Sequence, residues 1–124
     1  MVTRKFAAVS TALAAVVVIS GCSAAREEAD GEIHSSTQII DVRTLAEFEV
    51  GHLEGSVNID LRSADFDAAI TKFPLDGNYI VYCASGNRSA VAVDRMTELG
   101  FDSIIDAGGV SEAADATGID IVTE

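Results

Sequence analysis

Cys83 ends the apolar run "YIVYC" and is followed by Ala84, Ser85, Gly86, Asn87, Arg88 and Ser89, after which apolar residues recur at helical spacing. That order places a thiol at a strand-to-helix turn. In open α/β sheets, turns at the carboxyl ends of strands are where ligands bind. Gly86 permits a positive φ that other residues resist, and successive backbone N–H groups leading into a helix form an anion-binding nest. The helix N-terminus adds partial positive charge and Arg88 a whole one. Surroundings of this kind bring a thiol pKa down to roughly 3.5–7.5. A thiolate facing an anion pocket suits attack on an anionic substrate whose leaving group is also an anion. The plainer reading of any free cysteine is a small buried hydrophobe.

The elements that must hold this turn alternate along the chain. Gln38 to Val42 reads as a strand, Thr44 to Val50 as a short helix, Val57 to Ile59 as a strand, and Ser63 to Phe73 as a helix with Phe66, Ile70 and Phe73 on one face. Tyr79 to Cys83 is the strongest strand. Arg88 to Leu99 follows as a helix whose apolar residues are Ala90, Val91, Ala92, Val93, Met96 and Leu99. Gly100 is placed for a left-handed C-cap, with Phe101 folding back in a Schellman motif. Ser103 to Asp106, Val110 to Ala116 and Ile119 to Val122 complete a strand, helix, strand series. Strands alternating with helices predict an α/β domain with a mostly parallel sheet and helices on both faces.

Residues 1–21 have the form of a secretory signal: Arg4 and Lys5 precede the uncharged apolar stretch from Phe6 to Ile19, which is shorter than the roughly 20 residues a spanning helix needs. Ile19, Ser20, Gly21 and Cys22 resemble the lipobox of bacterial lipoproteins, in which the cysteine is acylated and becomes the new N-terminus. Cleavage after Ala25 is the rival, and would release a soluble exported protein. The lipidated form is expected at the cell envelope, on the outer face of the cytoplasmic membrane or the periplasmic side. Residues 22–36 are small and charged without periodicity and read as a flexible tether, leaving 37–124 as one small domain. Loss of Arg4 and Lys5 moves the formal charge from −12 to −14, and the remaining arginines are scattered, which argues against nucleic acid as a partner. With Cys22 acylated, Cys83 has no disulfide partner. One thiol and two histidines without companion spacing offer no metal site, and nothing in the sequence asks for a cofactor.

"IIDVRTLAEFEVGHLEGSVNIDL", followed by "IVYCASGNRSAVAV" and "LGFDSIIDAGGV", resembles a rhodanese domain of the short phage-shock type. The likeness covers about residues 37–122, with separate motifs in the family's order. It implies an α/β fold and transfer of sulfane sulfur through a persulfide on Cys83. By the same resemblance, Ala84, Ser85, Gly86, Asn87, Arg88 and Ser89 form the loop that cradles a small anionic sulfur donor such as thiosulfate, and Arg88 meets its sulfonate end. The acceptor is then a thiol or cyanide. Many relatives begin with an extra strand and helix, which the tether replaces here. They also often carry a tryptophan after the Gly-Gly pair, where this chain has Val110, so the last helix is expected to pack differently.

Other polar residues have quieter readings. His52 is expected to shape a turn rather than act as a base. Arg43 and Glu47, four apart, predict a surface ion pair. Asp41, at a strand's carboxyl end, either orients the active-site region or makes plain structural hydrogen bonds. Two other functions compete with sulfur transfer. A cysteine phosphatase would have five residues between cysteine and arginine, where this loop has four. A membrane-anchored sulfur carrier or binding module would need no turnover.

Overall fold

A computed structural model describes residues 36–123 of the chain; residues 1–21, Cys22 and nearly all of the tether lie outside the described residues. The element order is β1 (Gln38–Asp41), α1 (Leu45–Val50), β2 (His52–Leu53), β3 (Val57–Asn58), α2 (Phe66–Ile70), β4 (Asn78–Cys83), α3 (Asn87–Glu98), β5 (Ser103–Gly109), α4 (Val110–Thr117) and β6 (Ile121–Val122). Four strands form a parallel sheet in the order β3-β1-β4-β5. The central strands β1 and β4 are buried along nearly their whole length, as expected of β-branched runs covered on both faces.

Each face has its own core. Ile40, Val42, Val81 and Cys83 point to one side, where Phe66 and Ile70 of α2 and Ala92 and Met96 of α3 cover them. Ile39, Ile80 and Tyr82 point to the other, against Leu53 and Ala113. Full burial of a large aliphatic or aromatic side chain contributes about 1.5–3 kcal/mol, so the two stripes dictate which way β4 faces. The alternation along β4 thereby sends Cys83 to the α3 side.

Helix α3 ends as expected. Gly100 adopts φ 103°, its N–H donates to Thr97 O, and the N–H of Phe101 donates to Met96 O, both at 3.1 Å. That is the full Schellman pair, closed by burial of Phe101 and Met96 in one cluster. The buried face of α3 is made by Ser89, Ala92 and Met96, with Val93 and Leu99 half-buried; Ala90 and Val91 turn to solvent instead.

Two expectations need correction. Ile121–Val122 does not join the parallel sheet. After Gly118, at φ 69°, the chain turns back and this strand pairs antiparallel with His52–Leu53, a two-residue strand too short for periodicity to reveal. The helix expected over 63–73 shrinks to Phe66–Ile70. Ser63 holds a turn at its start, accepting from Asp65 N at its hydroxyl and from Phe66 N at its carbonyl, and Pro74 keeps Phe73 out of helical geometry. Helix α4, by contrast, packs as expected: it buries only Ala113 fully, and beside it lies a hollow of about 360 Å³ whose lining includes Ile80, Ile105, Ala107 and Ala116. Small side chains on α4 leave that space open, in keeping with the altered packing expected after Gly109.

Candidate active site

Cys83 closes β4, and the loop that follows folds over its sulfur. Gly86 takes φ 94°, in the left-handed region, and serves as the N-cap of α3. That turn points its N–H back at Cys83 Sγ, 3.0 Å away. Ser89, in the first turn of α3, places its hydroxyl 3.6 Å from the same sulfur while donating to Gly86 O at 3.0 Å. Burial pushes the Cys83 thiol up, but the backbone N–H and hydroxyl of Ser89 and the N–H groups of Ser85 and Gly86 outweigh it and hold the thiol below its ordinary value. The nest therefore favours the thiolate through neutral dipoles. Cys83 and Ser89 are wholly enclosed, whereas Ala84, Ser85 and Asn87 form an exposed tip above them.

A second layer fixes the loop from behind. The β4–β5 register slips between Val81↔Asp106 and Cys83↔Gly109, so β5 carries an extra residue there. The slip brings Gly109 opposite Cys83. A Cβ on Gly109 would lie 2.6 Å from Ala84 O, so any side chain at this position displaces the loop backbone. The Gly-Gly pair was visible in the sequence; that it forms the wall of the cysteine loop depends on a bulge no pattern announces.

Arg88 stands at the loop's end, as expected, but its guanidinium is engaged. Its two terminal nitrogens donate to the two carboxylate oxygens of Glu47, each at 2.8 Å. Glu47 is also half of a capping box at the start of α1: its Oε2 accepts from Thr44 N at 3.0 Å, and its own N–H donates to Thr44 Oγ1 at 3.3 Å. The Arg88 hydrogen bonds foremost hold the Glu47 carboxyl down at about 2. A guanidinium has five N–H donors, so three of Arg88's remain beyond this fork.

The expected surface pair between Arg43 and Glu47 is replaced by two others. Arg43 is buried and turns onto Asp41, with Nη2 2.6 Å from Oδ2 and Nε 3.0 Å from both oxygens. Its Nη2 also donates to Gly51 O at 2.6 Å. Asp41 further accepts from the N–H of Arg43. Arg43 thus ties the Asp41 carboxylate, at the end of β1, to the turn before β2. His52 is buried, stacks on Phe48 with ring centroids 3.7 Å apart, and has Nδ1 2.8 Å from Phe48 O. Tyr82, one residue before the cysteine, accepts from Leu53 N at 3.0 Å and lies 3.1 Å from Ser56 Oγ. Among the described residues no group of three or more His, Cys, Asp and Glu is placed to hold a metal ion.

The chain is similar to several known proteins. The chain is 36% identical over 86 residues to the thiosulfate sulfurtransferase GlpE of Pseudomonas aeruginosa, covering 68% of this chain and 76% of that one. It is 29% identical over 75 residues to the thiosulfate sulfurtransferase PspE of Escherichia coli, covering 60% and 72%. Among solved structures, a rhodanese with anions from E. coli aligns with a TM-score of 0.60 at 25% identity, over 71% of this chain and 99% of that one. A rhodanese-related protein from Thermoplasma volcanium aligns with the same score at 31% identity, over 72% and 86%. The sequence model of the rhodanese-like domain matches residues 25–116. With its thiol under a six-residue loop at the carboxyl edge of a parallel sheet, the chain belongs to the rhodanese family.

Proposed function

We propose that the domain is a sulfurtransferase that carries sulfane sulfur on Cys83, taking it from thiosulfate or a related donor and passing it to a thiol or cyanide. The observation that carries this reading is the Cys83 sulfur itself: wholly buried, bonded by Gly86 N–H at 3.0 Å and held toward the thiolate by the loop. The family and its two named thiosulfate sulfurtransferases support the same chemistry.

The Cys83 thiolate attacks the outer sulfur of thiosulfate. A sulfur–sulfur bond forms to Cys83, the bond from that sulfur to the sulfonate breaks, and its electron pair leaves with sulfite. The products are a persulfide anion and sulfite, with charge conserved. Neutral N–H donors that stabilise the thiolate then stabilise the persulfide anion. Attack by an acceptor thiolate or cyanide on the outer sulfur regenerates the Cys83 thiolate. Ala84 to Ser89 cradle the donor, and Arg88 meets its sulfonate with the N–H donors that Glu47 leaves. Because Cys83 is covered by the loop, the site admits a donor that presents its reactive sulfur at a slender end. The four-residue spacing to Arg88 makes a tighter cradle than a phosphatase loop.

Incubation with thiosulfate should add the mass of one sulfur atom to the peptide containing Cys83, release sulfite, and leave a species that cyanide discharges as thiocyanate. Cys83→Ser should form none of it, since a hydroxyl is the weaker nucleophile. Cys83-dependent release of phosphate from aryl phosphates without a persulfide would establish a phosphatase instead. Neither product from folded, reduced protein would leave a binding module.

The lipobox-like Ile19–Cys22 segment supports anchoring through acylated Cys22, with the domain exported to the cell envelope. Two acyl chains suffice for stable attachment where one is marginal. Replacement of Cys22 by alanine should move the protein from the membrane to the soluble fraction, and unchanged partitioning would remove the anchor.

A further inference from the structure

The proposed sulfur transfer relies on a loop whose only whole positive charge, Arg88, is already paired. Glu47 takes both terminal nitrogens of the fork at 2.8 Å, while two donors from Thr44 fix the carboxylate from the other side. The fork is bidentate, so it sets the plane of the guanidinium as well as its place. The pair is partly sheltered, with side-chain exposures of 18% for Arg88 and 36% for Glu47. The charged groups that act on Arg88 are Glu47 from α1, the Cys83 sulfur at the end of β4, and Asp60 from the segment after β3. A carboxylate this close cancels most of the field the guanidinium would send toward the sulfur.

We propose that Glu47 is the positioning and charge-setting residue of the Cys83 loop: by clamping Arg88 it leaves the anion cradle governed by neutral N–H donors, and so restrains its preference for doubly charged sulfur donors. The reading rests on the sulfurtransferase assignment for its substrates, but not for its effect on Cys83. Four observations agree. The sulfur accepts from the backbone N–H of Gly86 and lies beside the Ser89 hydroxyl, with no hydrogen bond from Arg88. Arg88 spends its fork on Glu47. Glu47 is itself held by a helix cap, so the clamp does not swing. The link joins α1 to α3 across forty-one positions of sequence, where an ordinary capping box would end within its own helix turn.

Glu47→Gln keeps the shape and an acceptor for the Thr44 cap but removes the charge. Two measurements on the full chain test the role. In the absence of any sulfur donor, the pH midpoint for iodoacetamide alkylation of Cys83, read on its own peptide by mass spectrometry, should move down by roughly half a unit. The ratio of kcat/KM for thiosulfate, a dianion, to that for methanethiosulfonate, a monoanion, should rise about twofold to threefold. Adding Arg88→Met to Glu47→Gln should erase the gain in that ratio. Thr44→Val, which weakens the cap but spares the carboxylate, should lower the melting temperature and leave both readouts in place. An unmoved midpoint with equal losses on both donors would make Glu47 only a helix cap and overturn the proposal. The alkylation result decides the role of Glu47 even if neither compound loads sulfur onto Cys83, an outcome that would defeat the sulfur-transfer reading alone.

Discussion

Asp41–Arg43 and Glu47–Arg88 are both forked arginine–carboxylate pairs, and their first three members lie within seven residues of sequence, yet they face different worlds. The first is sealed, with side-chain exposures of 0% and 7%. It also donates from Nη2 to Gly51 O and braces a turn. The second is half open, spans two helices, and borders the cysteine loop. A sealed pair has lost its water, so each partner depends on the other; a half-open pair can exchange its partner for solvent or substrate. Similar chemistry therefore gives rigidity in one place and adjustable charge in the other.

The largest effect should come from Asp41→Ala. It leaves a guanidinium buried that cannot lose its proton, at a cost of about 3–5 kcal/mol in urea unfolding. A cost no greater than that of Arg88→Met would erase the distinction between the pairs. Arg43→Met should cost less, about 1–3 kcal/mol, because the orphaned carboxyl can take up a proton and keeps the N–H of Arg43. Arg88→Met should cost under about 1 kcal/mol of stability, while kcat/KM with thiosulfate falls at least about tenfold. The reverse pattern, unfolding without a kinetic defect, would make that pair the structural one.

The smallest effect is one of pH. The folded-state pKa of Glu47 is depressed to about 2 from an ordinary 4.5. Its ionised form therefore stabilises the fold at pH values above about 4.5, and that contribution is lost as pH falls toward 2. The stability gap between wild type and Glu47→Gln, a few tenths of a kcal/mol for a pair this exposed, should be flat from pH 6 to 8 and close below pH 4.5. A gap that widens on acidification would contradict the ion pair.

The main sheet was legible because β1 and β4 carry β-branched residues in runs and α3 keeps Ala92, Met96 and Leu99 at helical spacing. The Schellman cap was legible because Gly100 and Phe101 sit at fixed offsets from the last turn. Cys83, Gly86 and Ser89 were legible as a turn, since they are neighbours in sequence and local geometry brings them together. What escaped was long-range. Glu47 is four residues from Arg43, the partner that spacing suggests, but Arg43 bends back onto Asp41, two residues away, and Glu47 finds Arg88 instead. Strand β2 has two residues and draws its identity wholly from β6. Gly109 matters through a bulge that sets it against Ala84 O.

The ribbon of β2 and β6 also imposes a timetable. His52 and Leu53 leave the ribosome early, yet the strand they pair with, Ile121–Val122, is among the last residues described. At synthesis rates of about 5–20 residues per second, the chain holds Leu53 unpaired for roughly 3–14 s before its partner exists. During that interval the Glu54 N–H, which in the finished fold donates to Asp120 O at 2.9 Å, has only water to satisfy it. A chain stalled shortly before Ile121 should therefore be more open to proteases than its nearly complete length suggests.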